Sequence, residues 1–85
     1  MKRYVAVFRS RTDVLTFVED MKKNSAYIKT VTTPKEARIG CGISAEFSNL
    51  DLAKAKKLIK IKRYQSYLGI FIIQKTPYGT VTERI

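Results

Sequence analysis

Short runs of apolar residues alternate with two amphipathic stretches along the chain. Tyr4 to Phe8 consists of β-branched and aromatic residues, which is typical of a strand. Three later runs have the same character, at residues 27–32, 43–47 and 68–74. A turn with Pro and Gly spans residues 76–79 and predicts that Thr80 to Arg84 return as a short fifth strand.

Two stretches have apolar residues at helical spacing and therefore predict helices. The first lies between the first two strands and contains Val14, Leu15, Val18 and Met21. The second lies between the third and fourth strands and contains Leu52, Ala55, Leu58 and Ile59. Each helix is preceded by a capping-box pattern, Ser10 with Asp13 and Ser48 with Asp51.

The predicted order is therefore strand, helix, strand, strand, helix, strand. Two such halves most simply form an α+β, ferredoxin-like β-α-β-β-α-β sandwich, with an antiparallel sheet and both helices on one face. The 85 residues suffice for one domain, so we predict a single domain over residues 1–85.

Two of the predicted strands are apolar at consecutive positions, which does not fit a sheet with one solvent-exposed face. Tyr4 to Phe8 and Leu68 to Ile73 do not alternate with polar residues, although a half-solvated strand should. This pattern predicts exposed apolar surface on the face away from the helices, and hence a homodimer through that face or a docked partner. The alternative is that the C-terminal segment buries the fourth strand.

Composition excludes several kinds of catalytic site. The chain has no His, one Cys and seven carboxylates, so it offers neither a zinc constellation nor a Ser-His-Asp or Cys-His pair. It also lacks a glycine-rich phosphate loop. We therefore predict a carrier or binding protein, with no metal, no cofactor and no catalysis of its own.

Charge and hydropathy bear on partners and location. The net charge of +10 favours anionic partners, or alternatively only keeps a small protein soluble. The longest apolar run, Tyr67 to Ile73, is far below the roughly 20 residues of a membrane helix. No signal-peptide core follows Met1, so we predict a cytoplasmic protein without membrane attachment.

One segment has chemical character, and Cys41 is at its centre. The flanking Gly40 and Gly42 indicate unusual backbone angles and leave amides uncrowded for an anion-binding nest. Lys35 and Arg38 are close in sequence and would stabilise a thiolate if either reached the sulfur. In the alternative interpretation Cys41 is a small buried hydrophobe and the cations are solvated.

The sequence resembles a family of small bacterial proteins named putative selenium/sulfur carrier-like. The resemblance covers nearly the whole chain and rests on the opening Tyr4–Ser10 block, on Thr33-Pro34, on Cys41-Gly42-Ile43-Ser44 and on the second helix. It implies that Cys41 carries sulfur or selenium, received from one protein and passed to another.

A second interpretation rests on the cations of the second helix and its exit. Ferredoxin-like sheets and basic helices can bind nucleic acid, and each phosphate contact would make that binding salt-dependent. The alternative site comprises Lys54, Lys56, Lys57, Lys60, Lys62 and Arg63.

Overall fold

A computed structural model of the protein describes residues 2–35 and 40–85. The elements follow the predicted order, and most boundaries lie within two residues of the prediction. They are β1 (Lys2–Phe8), α1 (Arg11–Lys23), β2 (Ile28–Thr32), β3 (Ile43–Phe47), α2 (Leu52–Lys62), β4 (Tyr67–Thr76) and β5 (Gly79–Arg84). None of the described helices is long and apolar enough to cross a membrane.

The strands form one antiparallel sheet in the order β2-β3-β1-β4-β5. The first four strands have the order expected of a ferredoxin-like sandwich, so the predicted α+β fold is confirmed. The fifth strand is confirmed as well, and it extends the sheet beyond β4 through the hairpin that pairs Thr76 with Gly79.

The central strand β1 is buried on both faces. Its residues Tyr4, Ala6 and Phe8 face the helices, where they join Phe17 of α1 and Ala55 of α2 in the main core. Because side chains alternate along a strand, the residues between them face the other way. A strand buried on both faces must be apolar at every position, which explains the continuous run in the sequence.

Within residues 2–35 and 40–85, the face away from the helices does not carry the exposed apolar patch that the sequence predicted. Val5 and Val7 are fully buried there, and Phe71 and Ile73 of β4 are nearly so. The expectation was wrong because the chain covers these residues itself. The predicted homodimer loses this motivation, although the association itself stays a prediction.

β5 helps to cover this face, as expected from the alternative interpretation in which the C-terminal segment buries the fourth strand. The strand pairs along β4, and the side chain of Arg84 crosses over Gly69. A Cβ atom at Gly69 would lie 2.6 Å from Arg84 Nε, and the φ of +153° at Gly69 also favours glycine. The C-terminal strand is therefore packed against the fourth strand.

The acidic residues of the two capping boxes, Asp13 and Asp51, form equivalent hydrogen bonds in the two halves of the fold. The Asp13 carboxylate accepts from Ser66 N at 3.0 Å and from Ser66 Oγ at 2.5 Å, just before β4. The Asp51 carboxylate accepts from Tyr27 N at 3.1 Å, just before β2. Each acidic residue of a capping box thus binds the loop that follows the other helix. The serines do cap, since Ser10 Oγ accepts from Asp13 N and Ser48 Oγ from Leu50 N.

A second buried carboxylate joins the two helical segments. Asp20 of α1 is 8% exposed, and accepts from the Tyr64 hydroxyl at 2.6 Å. Lys62 Nζ lies 3.8 Å from the same carboxylate. Burial, together with the bond to Asp20, raises the pKa of Tyr64 above its ordinary value. These contacts could not be anticipated from the sequence, because both partners of Asp20 come from a segment more than 40 residues away along the chain.

Replacing Tyr64 with Phe removes one hydrogen bond to a buried carboxylate while keeping the ring. We expect Tyr64→Phe to lower the free energy of unfolding by about 1–3 kcal/mol, measured by urea denaturation. Tyr27→Phe is the matched control, because the Tyr27 side chain is 84% exposed, and it should change stability by less than about 0.5 kcal/mol. Equal losses in the two variants would contradict this account.

Candidate functional site

Cys41 lies immediately before β3, beside the last residue of β1. Its amide donates a hydrogen bond to Phe8 O at 3.1 Å, which holds Cys41 against the end of β1. Its side chain is half-buried and packs against the helix-side core. The thiol donates to Ile43 O at 3.2 Å. Only the protonated thiol has a hydrogen to donate, so a thiolate would give up this bond.

Thr33, which shares a buried hydroxyl pair with Ser44, holds the backbone carbonyls of Cys41 and Gly42. Thr33 N donates to Gly42 O at 2.9 Å, and Thr33 Oγ1 donates to Cys41 O at 2.9 Å. Ser44 Oγ lies 2.6 Å from Thr33 Oγ1. Because the Thr33 hydroxyl has a single hydrogen, already given to Cys41 O, Ser44 must donate in that pair. Sequence reasoning assigned Thr33 and Ser44 no role, although both belong to the blocks that carry the family resemblance.

The glycines beside Cys41 differ from what the sequence predicted. Neither has the positive φ that favours glycine, which occurs instead at Gly69 and Gly79. Gly40 is required by close approach, since a Cβ there would lie 2.3 Å from Phe8 O, whereas a Cβ at Gly42 would meet nothing within 4 Å. The Cys41 amide is already bound to Phe8 O, so it is not available to an anion-binding nest.

The two cations predicted to flank the thiol are only partly described. Lys35 is exposed, and Arg38 lies outside the described residues. The fold instead brings other cations to the end of the sandwich that carries Cys41. β1 ends and α1 begins there, and α2 ends there before β4. The exposed cations at these junctions are Arg9, Arg11, Lys60, Lys62 and Arg63.

The cations of α2 therefore divide into groups that sequence reasoning treated as one. Lys54 is at the opposite end, 3.7 Å from Asp51. Lys56 and Lys57 are exposed along the outer surface of the helix. Lys60, Lys62 and Arg63 belong to the Cys41 end. Their use as a nucleic-acid interface stays a prediction.

A cavity of about 310 Å³ opens beside the same end of the sandwich. It is lined by Arg9, by Gln65 and Ser66 of the loop that leads into β4, and by Tyr67 and Leu68 at the start of β4. Leu68 also contacts the Gly40 position, where its Cδ1 would lie 3.1 Å from an added Cβ. Burial raises the pKa of Tyr67, and Arg84 opposes that shift. Arg9 and this cavity were not identified from the sequence, because they approach Cys41 only through the pairing of β1 with β3.

Comparison with known families tests the family resemblance that the sequence blocks suggested. The family described as "Putative Se/S carrier protein-like" matches residues 3–71. The chain belongs to this family. The match extends from β1 into β4 and includes Cys41, while β5 lies outside it. No curated protein and no solved structure matches the chain.

No cluster of three or more His, Cys, Asp or Glu residues that could hold a metal occurs in the described ranges.

The different roles of the two glycines can be measured. Gly40→Ala forces a methyl group against the Phe8 carbonyl, so we expect it to lower the free energy of unfolding by about 1–3 kcal/mol. Gly42→Ala meets no atom and restricts the unfolded chain, so it should be neutral or stabilising by up to about 1 kcal/mol. Urea denaturation of both variants checks this, and a reversed order would overturn the assignment.

Proposed function

We propose that this protein carries sulfur or selenium as a covalent adduct on Cys41, between a protein that donates the atom and a protein that accepts it. The observation that carries the proposal is a single Cys that is half-buried at the end of the sheet, in a chain of the carrier family. Partial burial protects an adduct, and partial exposure lets a partner reach it.

The transfer step requires no oxidant. The Cys41 thiolate attacks the outer sulfur of a donor persulfide, R–S–SH, and forms a new S–S bond. The bond between the donor's two sulfurs breaks, and its electron pair leaves with the donor as R–S⁻. Cys41 then carries –S–SH, and the corresponding selenium adduct would be –S–SeH.

The absence of a second Cys suits storage and delivery. A neighbouring thiol within the chain would attack the adduct and close a disulfide, but the chain has only one Cys. The adduct therefore persists until the thiolate of an acceptor removes its outer atom. The protein needs no general acid or base for this exchange, because thiolates are both the attacking and the leaving groups.

The cations around this end favour negatively charged donors. Arg9, Arg11, Lys60 and Arg63 are all exposed, and a field of this sign raises the local concentration of anions. Persulfides, polysulfides and acidic protein surfaces are anionic partners of that kind. This attraction does not require a charged residue in direct contact with the Cys41 thiol.

Cys41→Ser should abolish adduct formation while leaving the fold intact, because Ser can still donate to the carbonyl that accepts from the thiol. After incubation with a persulfide donor, mass spectrometry of the intact protein should show added sulfur in the native chain and none in the variant. Peptide mapping should place the addition on Cys41. A native chain that gains no sulfur under conditions that modify a free low-molecular-weight thiol would contradict the proposal.

The effect of the cations can be tested with two alkylating reagents that differ in charge. Both iodoacetate and iodoacetamide react with the thiolate, so the ratio of their rates reports the local field rather than the thiolate fraction. Reversing two charges, Lys60→Glu with Arg63→Glu, should lower the iodoacetate-to-iodoacetamide ratio by about two- to threefold at low ionic strength.

The control is Lys23→Glu at the opposite end of α1. A strand of seven residues spans roughly 23 Å, which exceeds the Debye length of about 10 Å at 0.1 M salt. The control should therefore leave the ratio unchanged, and added salt should reduce the difference between the chains. An equal drop in the control, or no drop in the double variant, would show that these cations do not act on Cys41.

A further inference from the structure

A second cavity, of about 220 Å³, lies at the end of the sheet opposite Cys41. It is formed where β1 begins, where β3 ends and just before β2. Its lining includes Lys2, Arg3 and Lys29, with Glu46 as its carboxylate. Sequence analysis did not single out these residues, because they come from three strands that become neighbours only in the folded sheet.

Charge within this cavity is unbalanced. Glu46 forms ion pairs with both Arg3 and Lys29, the latter at 3.4 Å, and its side chain is only 15% exposed. Glu46 offsets one of the two cations that it contacts, so Arg3 and Lys29 keep one excess positive charge between them. Lys2 adds a further positive charge at the start of β1, where it leaves the strand on the face opposite to Arg3. The shared carboxylate also fixes where two of these cations lie, which reduces the ordering cost of binding an anion.

Arg3 retains donors for a ligand. Its Nε donates to Glu46, and its terminal amino groups make no hydrogen bond to any residue in the ranges 2–35 and 40–85. A guanidinium has five N–H donors in a planar fork, which matches the oxygens of a phosphate. Arg3 can therefore hold Glu46 and an anion at the same time.

An aromatic ring stands at the rim of the cavity. The Tyr27 side chain is 84% exposed, yet its backbone amide is held by Asp51. A ring that is in solvent on a fixed backbone provides a flat surface on which a ligand can stack. The cavity is smaller than the roughly 300–1,000 Å³ typical of drug-sized ligands, so it suits one phosphate group with the rest of the ligand outside.

We propose that this cavity binds a phosphate monoester with a flat ring, of the nucleoside monophosphate class. The phosphate lies between Arg3 and Lys29, Lys2 adds positive charge from the start of β1, and the ring stacks on Tyr27. The site is separate from Cys41 and does not depend on sulfur transfer.

The test is a titration of the full chain with adenosine 5′-monophosphate, followed by amide chemical shifts. We expect saturable shifts at residues of the cavity, and no saturation with adenosine, which lacks the phosphate. Arg3→Gln and Lys2→Gln should each weaken binding at least about fivefold. Lys2→Gln guards against misfolding, because Lys2 makes no ion pair with Glu46 among the described residues.

Two further variants complete the experiment. Lys56→Gln removes one exposed charge from α2 and should leave the affinity within about twofold, since it is outside the cavity. Tyr27→Ala should weaken binding of adenosine 5′-monophosphate but not of inorganic phosphate.

The proposal would be overturned by equal weakening from Lys56→Gln and Lys2→Gln, by equal binding of adenosine and its monophosphate, or by absence of saturable shifts. Much tighter binding of a single-stranded oligonucleotide than of the monophosphate would also overturn it, in favour of a nucleic-acid interface. Cys41→Ser should bind the monophosphate normally, so failure here is distinguishable from failure of the carrier proposal.

Discussion

The backbone carbonyl of Phe8 accepts the amide of Cys41, while the ring of the same residue fills the core between the sheet and both helices. That ring lies 5.3 Å from the Phe17 ring, 5.6 Å from Tyr64 and 5.8 Å from Tyr67, measured between centroids. The backbone of Cys41 is therefore held beside the aromatic core. A side chain at Gly40 would clash with the Phe8 carbonyl and push Cys41 away from it, which is why position 40 has to be glycine.

The architecture could be predicted from the sequence because local signals and long-range pairing agree. β1 is apolar from Tyr4 to Phe8 because that part of the strand is central and buried on both faces, and each helix has one apolar stripe. The same unbroken run of apolar residues led to the wrong prediction that the face away from the helices is exposed. Apolar residues show that a face is covered, but they do not say whether a partner or the chain itself covers it.

The site could be predicted only in part. Cys41 was identified because the chain has one Cys and no His, and because this Cys lies in a sequence block that carries the family resemblance. The roles of Thr33, Gly40 and Arg9 were not. Thr33 meets Cys41 where β2 pairs with β3, and the other two depend on the approach of Cys41 to the end of β1. The buried position of Asp20 could not be predicted either, since its partner Tyr64 is distant in sequence and adjacent in space.

The central claim is that Cys41 is reachable in the folded protein. Its most direct test is the rate at which a neutral disulfide such as 4,4′-dithiodipyridine reacts with the thiol in increasing urea below the unfolding transition. A thiol accessible in the native state should react at a rate that barely changes with urea. A thiol exposed only by opening of the fold should instead react at a rate that rises exponentially with urea, in step with the unfolded fraction. The account predicts the first result, and the second would contradict it.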